Sequence, residues 1–162
     1  MGCQLTGCKI MNVFEYETSI GKIALYQKED ELIRLTLNSA LKDGFEVAET
    51  PLMREAVRQL NEYLEGKREG FSLPLNPYGT PFTKKVWQEM SDVDYGTTIN
   101  YHELAVRVHA PYAHRAVLVA VTQNPLPIII PCHRITGADC ALCAFPQGKE
   151  IVAKLRQIES FY

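Results

Sequence analysis

Long apolar runs, blocks of like charge and a regular cysteine pattern are all missing from this sequence of 162 residues. No stretch approaches the roughly 18 consecutive apolar residues that a membrane-spanning helix requires, so a helical membrane protein is excluded. The formal net charge is only −2. Without a global basic field, any nucleic-acid partner has to be held by a local surface. The five cysteines (Cys3, Cys8, Cys132, Cys140 and Cys143) are odd in number and badly spaced for a disulfide framework. That favours a reducing, intracellular setting, cytoplasmic or, in a eukaryote, nuclear. A zinc site takes about four ligands, and Cys140-x-x-Cys143 has no second Cys/His pair near it. Cys3 and Cys8 would join it only by folding back, so neither a metal nor a cofactor is expected. Residues Met1 to Lys9 lack the basic segment and long apolar segment of a secretory signal, and Gly2 with Thr6 matches a myristoylation pattern only weakly. The first eleven residues show no periodicity and are expected to fray.

What is present reads as a compact α+β chain. Val13–Thr18, Ile23–Gln27 and Leu32–Leu37 are strand-like runs separated by the Gly21-Lys22 turn and the charged turn 28–31, which argues an antiparallel meander. A charged loop, 42–49, follows. Thr50-Pro51 offers a capping hydroxyl and then proline at the first helical position. Leu52, Ala56, Leu60, Tyr63 and Leu64 then fall on one helical face that ends at Gly66. Residues 71–79, rich in proline, asparagine and glycine, read as a boundary. The domains expected are a scaffold over 1–76 and a second, mostly helical unit over 77–162.

The second unit repeats the start signal at Thr80-Pro81, opening a helix through Phe82, Val86, Trp87 and Met90. Asn100-Tyr101-His102-Glu103 has the form of a capping box. It opens a short helix that breaks at His109-Ala110-Pro111, and a second helix runs from about Tyr112 to Gln123. Two short helices joined by a tight turn are a helix-turn-helix candidate, a pattern that also occurs without DNA. A last amphipathic helix carries Ile151, Val152, Leu155 and Ile158 inward, with Glu159 near its end.

Between these helices lies Asn124-Pro125-Leu126-Pro127-Ile128-Ile129-Ile130-Pro131-Cys132-His133-Arg134. Pro131 fixes its own φ and steers Ile130 away from helix, so a rigid apolar segment delivers Cys132. Free cysteine is most often plain core, yet an ordinary core does not need an imidazole and a guanidinium alongside. Cysteine attacks as thiolate, which an adjacent base or positive charge favours. Neighbours in an extended segment do not readily bond directly, so His133 would work through a water, and Glu159 is a carboxylate able to orient it.

This stretch resembles the active-site signature of the O6-alkylguanine-DNA alkyltransferases, also called methylated-DNA–protein-cysteine methyltransferases. The likeness extends back through Arg115-Ala116-Val117, Tyr101, Tyr95-Gly96 and Thr80–Trp87, and forward to Glu159. Residues 1–75 match that family's variable first domain only in outline. The resemblance implies a small ribonuclease H-like sheet with a helix, followed by a winged helix-turn-helix-like unit. It also implies a monomer that acts on double-stranded DNA containing O6-alkylguanine, with no membrane partner. The alkyl group, from O6-alkylguanine and also from O4-methylthymine, would pass irreversibly to Cys132, once per molecule. His133 would take the thiol proton and Glu159 would hold the imidazole. Tyr101 would donate to guanine N3 and crowd the 3′ phosphate. Arg115 would enter the stack in place of the flipped base, and Asn124 would tie the recognition helix to the active-site turn. Arg134 and Phe145 complete the substrate and DNA residues, Phe145 as the aromatic wall.

Departures from the pattern point to altered rate or alkyl range. Leu118-Val119 stand where the family has small residues after Arg-Ala-Val, and Pro146-Gln147 stand in the loop that normally carries Gly-Gly. Cys143 stands where the family often has a small, flexible residue at the pocket mouth. Two other classes stay open: a lesion binder of the alkyltransferase-like kind, which lacks the nucleophilic cysteine so that Cys132 argues against it while Pro146-Gln147 and Leu118-Val119 keep it alive, and a DNA-independent cysteine hydrolase.

Overall fold

The computed structural model describes residues 11–160. Cys3 and Cys8, the Gly2 pattern and ten of the eleven residues expected to fray lie outside that range, while the eleventh, Met11, opens a strand. Strands β1 (Met11–Thr18), β2 (Gly21–Lys28) and β3 (Glu31–Leu37) form the antiparallel meander, beginning two residues before Val13. A fourth strand, β4 (Glu46–Val47), pairs parallel to β1 and gives the order β3-β2-β1-β4. It arises inside the segment read from sequence as a charged loop. That loop and the residue before it also pack: Leu41 and Phe45 cover a small cluster of Val13, Ala24, Tyr26 and Ile33. Both faces of β2 are thereby buried, one under this cluster and the other, through Ile23 and Leu25, in the main core. Near-continuous burial explains why β2 reads Ile-Ala-Leu-Tyr rather than alternating.

Helix α1 (Pro51–Leu64) starts at Thr50, whose hydroxyl accepts from Met53 N at 3.1 Å, and α2 (Pro81–Ser91) starts at Thr80, which accepts from Thr83 N at 3.2 Å. Each such cap contributes about 1 kcal/mol. The segment between them is no loose linker. Ser72 N donates to Gln59 Oε1 (2.9 Å), Leu32 N to Pro74 O (2.9 Å) and Asn76 N to Leu32 O (2.8 Å), pinning it along β3. The same strand edge receives the active-site stretch, through Leu35 N donating to Pro125 O at 2.9 Å. One continuous core joins α1 and the sheet to the helices that follow.

The helix pair consists of α3 (Tyr101–Arg107) and α4 (His114–Thr122). Asn100 caps α3 by accepting from Glu103 N at 2.8 Å, while the Glu103 carboxylate turns to Arg107 instead of closing the box. Helix α4 starts two residues after Tyr112 and has no side-chain cap. It is fixed instead by packing and by Trp87 Nε1, which donates to Ala120 O at 2.8 Å. A two-strand parallel ladder, β5 (Ile99–Asn100) with β6 (Ile135–Thr136), ties the entry of α3 to the exit of the cysteine turn. The last helix, α5 (Gly148–Glu159), buries Ile151, Val152, Leu155 and Glu159. Its first residue has to be glycine, because a Cβ there would stand 1.7 Å from the Leu142 carbonyl oxygen.

Candidate active site

The approach to Cys132 is a constrained turn. Asn124, just past the end of α4, accepts from Leu126 N (3.0 Å) and donates through Nδ2 to Ile130 O (2.8 Å), both bonds buried. These bonds close the turn over Ile128, which has φ +76°. A β-branched residue adopts that conformation only when its surroundings over-determine it. Asn124 therefore couples the helix pair to the cysteine turn through its side chain. Cys132–Arg134 form one turn of 3₁₀ helix rather than an extended segment.

His133 and Glu159 meet inside the protein. Nε2 of His133 lies 2.6 Å from Oε2 of Glu159, with the two side chains 1% and 4% exposed. Arg134 Nε donates to Oε1 at 2.9 Å and Nη2 to Oε2 at 3.2 Å, and Gly96 N donates to Oε1 at 3.1 Å. The hydroxyl of Tyr63, from α1, donates to Oε2 as well and lies 3.1 Å from His133 Nε2. Burial alone would raise the Glu159 pKa, but donation from His133, Arg134 and Tyr63 outweighs it and holds the carboxyl down at about 2. Burial lowers the pKa of His133, and the Glu159 carboxylate only partly opposes it. A carboxylate accepting at Nε2 assigns the proton to that nitrogen. Nδ1 is left as a buried acceptor with no hydrogen-bond partner among the described residues. Arg156 fixes the turn from α5, donating to His133 O at 2.8 Å.

Two sequence expectations are corrected here. Arg134, expected to meet substrate or DNA, is 8% exposed and engaged with Glu159 and with Val93 O at 2.7 Å. It is an internal counter-ion, because a buried carboxylate needs a paired charge. The cysteines, expected unpaired, include a disulfide: Cys132 is bonded to Cys140, with Cα atoms 5.3 Å apart. The partner is presented by a second 3₁₀ turn (Ala141–Ala144), so Cys140 is not half of a ligand pair with Cys143. Among the described residues no group of three or more His, Cys, Asp and Glu side chains could hold a metal ion.

The remaining predicted residues stand on the outer side of this centre. Tyr101 begins α3 half-buried, its ring over Gly137, where a Cβ would come within 3.0 Å. That residue's φ of +79° and the ring above it both require glycine. The ring stacks at 4.2 Å on His102, whose Nδ1 is 3.0 Å from Nδ1 of His114. Arg115, in the first turn of α4, is exposed and has no hydrogen bond or ion pair to a described residue. Leu118 is half-buried and Val119 is 50% exposed on the same helix. Phe145 is half-buried and lines a cleft with Asn124, Pro125 and Leu35. Pro146 and Gln147 face a different cleft, against Ser19–Gly21 of the first hairpin, and Gln147 holds φ +61°. Of the site's internal members, Tyr63, Gly96 and Cys140 carry no local sequence signal that separates them from a core ring, a turn and a spare thiol.

The comparisons agree across the chain. Residues 81–161 match the family model described as 6-O-methylguanine DNA methyltransferase, DNA binding domain. Residues 15–77 match the ribonuclease-like domain of the same family. The chain is 41% identical to the constitutive methylated-DNA–protein-cysteine methyltransferase of Bacillus subtilis (strain 168), over 88% of this chain and 92% of that one. It is 46% identical to the Methanosarcina barkeri protein of the same name, over 65% and 67% of the two chains. Among solved structures, Mycobacterium tuberculosis OGT in complex with DNA superposes with a TM-score of 0.81 at 31% identity, covering 93% of each chain.

Proposed function

The chain belongs to the 6-O-methylguanine DNA methyltransferase family, and we propose that Cys132 accepts an alkyl group from O6 of a guanine in duplex DNA. Sγ attacks the alkyl carbon, an S–C bond forms as the C–O6 bond breaks, and the bonding pair leaves on the purine, which takes up a proton. The thioether is not hydrolysed, so each molecule acts once. The same displacement is open to O4-methylthymine, whose alkyl group also sits on a ring-carbon oxygen. Residues 1–76 serve as scaffold and 77–162 carry DNA binding and chemistry.

The carrying observation is the buried His133–Glu159 pair beside the cysteine, with Nε2 committed to the carboxylate at 2.6 Å and Nδ1 left as acceptor. His133 takes the thiol proton at Nδ1 through one water, and Glu159 stabilises the imidazolium that results. The thiolate exists only in the reduced chain. An external thiol reductant, itself oxidised to a disulfide, must first supply the two electrons and two protons that convert Cys132–Cys140 to two thiols, so the oxidised chain is inactive.

A base inside the stack does not offer its O6 carbon to in-line attack, so the lesion has to be flipped out. Tyr101 donates to N3 of the flipped purine and crowds its 3′ phosphate. Arg115 fills the space left in the duplex, where a planar guanidinium both stacks and hydrogen-bonds. Phe145 walls the base. Leu118 and Val119 make the α4 surface bulkier than small residues would, so docking is shallower.

Counting lesions removed per molecule tests the reading. Reduced protein incubated with excess O6-methylguanine duplex is expected to restore one guanine per chain and then stop. Binding without restoration supports a lesion binder, and restoration beyond one per chain, or hydrolysis without DNA, supports a cysteine hydrolase.

A further inference from the structure

Tyr63 belongs to the half of the chain that carries no motif for the chemistry, yet its hydroxyl reaches the buried centre. It is 1% exposed, donates to Glu159 Oε2, and stands 3.1 Å from His133 Nε2. The three polar atoms form a closed triangle. Oε2 accepts the Tyr63 proton and the Nε2 proton, and the tyrosine oxygen lies where the Nε2–H can be shared with it. The ring is clamped by an edge contact to Tyr95 (centroids 6.2 Å apart) and by Phe71 (5.4 Å). α1 therefore sets the hydroxyl rigidly.

We propose that Tyr63 is a positioning residue for alkyl transfer: its hydroxyl fixes the Nε2–H tautomer and the ring orientation of His133, so that Nδ1 faces the thiol proton. The inference rests on the reading of Cys132, His133 and Glu159 given above. Glu159 already accepts from Arg134 and Gly96, with Arg134 Nη2 on Oε2 at 3.2 Å. Tyr63 adds a further donor to Oε2 and narrows the angles over which that oxygen accepts the imidazole proton. Donation from Tyr63 also spreads the charge of Glu159 and weakens its pull on the His133 proton. The other charged and titratable groups facing the pair are Arg134 on the same turn, Arg156 from α5, and Tyr95. The two arginines hold positive charge near the imidazole and act with burial to keep it neutral.

Tyr63→Phe deletes the hydroxyl and keeps the ring. In single-turnover transfer by the reduced protein, the rate constant at neutral pH is expected to fall roughly tenfold, the size of one hydrogen bond to a charged group. Glu159, having lost a donor, pulls harder on the His133 proton, so the acid limb of the pH–rate profile moves to higher pH. A purely structural ring would not move that limb. In the Glu159→Gln background, Tyr63→Phe is expected to change the rate by less than about twofold, because the hydroxyl acts through the carboxylate. An unchanged rate and profile, or the full tenfold loss in both backgrounds, overturns the inference. So does a wild-type His133 found as the Nδ1–H tautomer by NMR on nitrogen-labelled histidine, a measurement that needs no variant to fold. Failure of wild-type reduced protein to alkylate Cys132 overturns the underlying reading and this inference with it. Normal wild-type transfer with an indifferent Tyr63→Phe overturns this one alone.

Discussion

Replacing Glu159 by glutamine removes the one negative charge from a buried centre that receives His133, two nitrogens of Arg134, the Gly96 amide and the Tyr63 hydroxyl. Two independent magnitudes converge on the effect. Lowering the carboxyl pKa from 4.5 to about 2 corresponds to roughly 3 kcal/mol of stability at neutral pH. Leaving one partner of a buried ion pair uncompensated costs about 3–5 kcal/mol. Glutamine keeps one acceptor oxygen, so the lower figure, about 3 kcal/mol, is expected, and thermal denaturation should show a drop of about 10 °C. The sign with pH follows from a depressed acid. The stabilisation is complete above about 4.5 and is lost as pH falls toward about 2. Urea denaturation of wild type should show that loss, and the variant should be flat over the same window apart from what other carboxylates contribute. Transfer should slow with stability, because His133 loses its orienting acceptor. A Glu159→Gln chain within 0.5 kcal/mol of wild type that transfers at the same rate would refute the assignment of Glu159 as the charge organising this centre.

Cys140→Ser cannot form the disulfide to Cys132. Its transfer rate should be the same with and without added thiol reductant, whereas wild type purified under air should need the reductant. Equal reductant dependence in both would show that Cys140 does not cap the nucleophile. Arg115→Ala removes an exposed side chain that has no hydrogen bond or ion pair to a described residue, so the melting temperature should stay within about 1 °C. Transfer from duplex DNA should slow at least tenfold, while alkylation by free O6-alkylguanine base should be unchanged, and equal loss on both substrates would argue against a role in the duplex.

Local signals carried much of the architecture. Thr50-Pro51 and Thr80-Pro81 start helices where expected, because hydroxyl capping and a fixed proline φ act within one turn. The three-strand meander was readable for a similar reason. The parallel edge strand β4 and the β5–β6 ladder were not, since two residues are too few to show a period. At the site, the Cys132-His133 turn and Glu159 could be named in advance. What could not be named depends on contacts between distant segments. Arg134 looked like a DNA contact because its carboxylate lies 25 residues away. Tyr63 looked like core because helical periodicity reports where a ring points and says nothing about its hydroxyl. The Cys132–Cys140 pairing joins two 3₁₀ turns that meet only in the folded chain, and cysteine spacing does not encode that approach.

Peptide mapping by mass spectrometry, after one exposure of the reduced chain to duplex DNA containing O6-methylguanine, locates the transferred group directly. A mass gain of one CH₂ confined to the peptide bearing Cys132, and absent from Cys132→Ser, is the expected result. An unmodified chain, or a methyl group found on Cys140 or Cys143 instead, would contradict Cys132 as the acceptor.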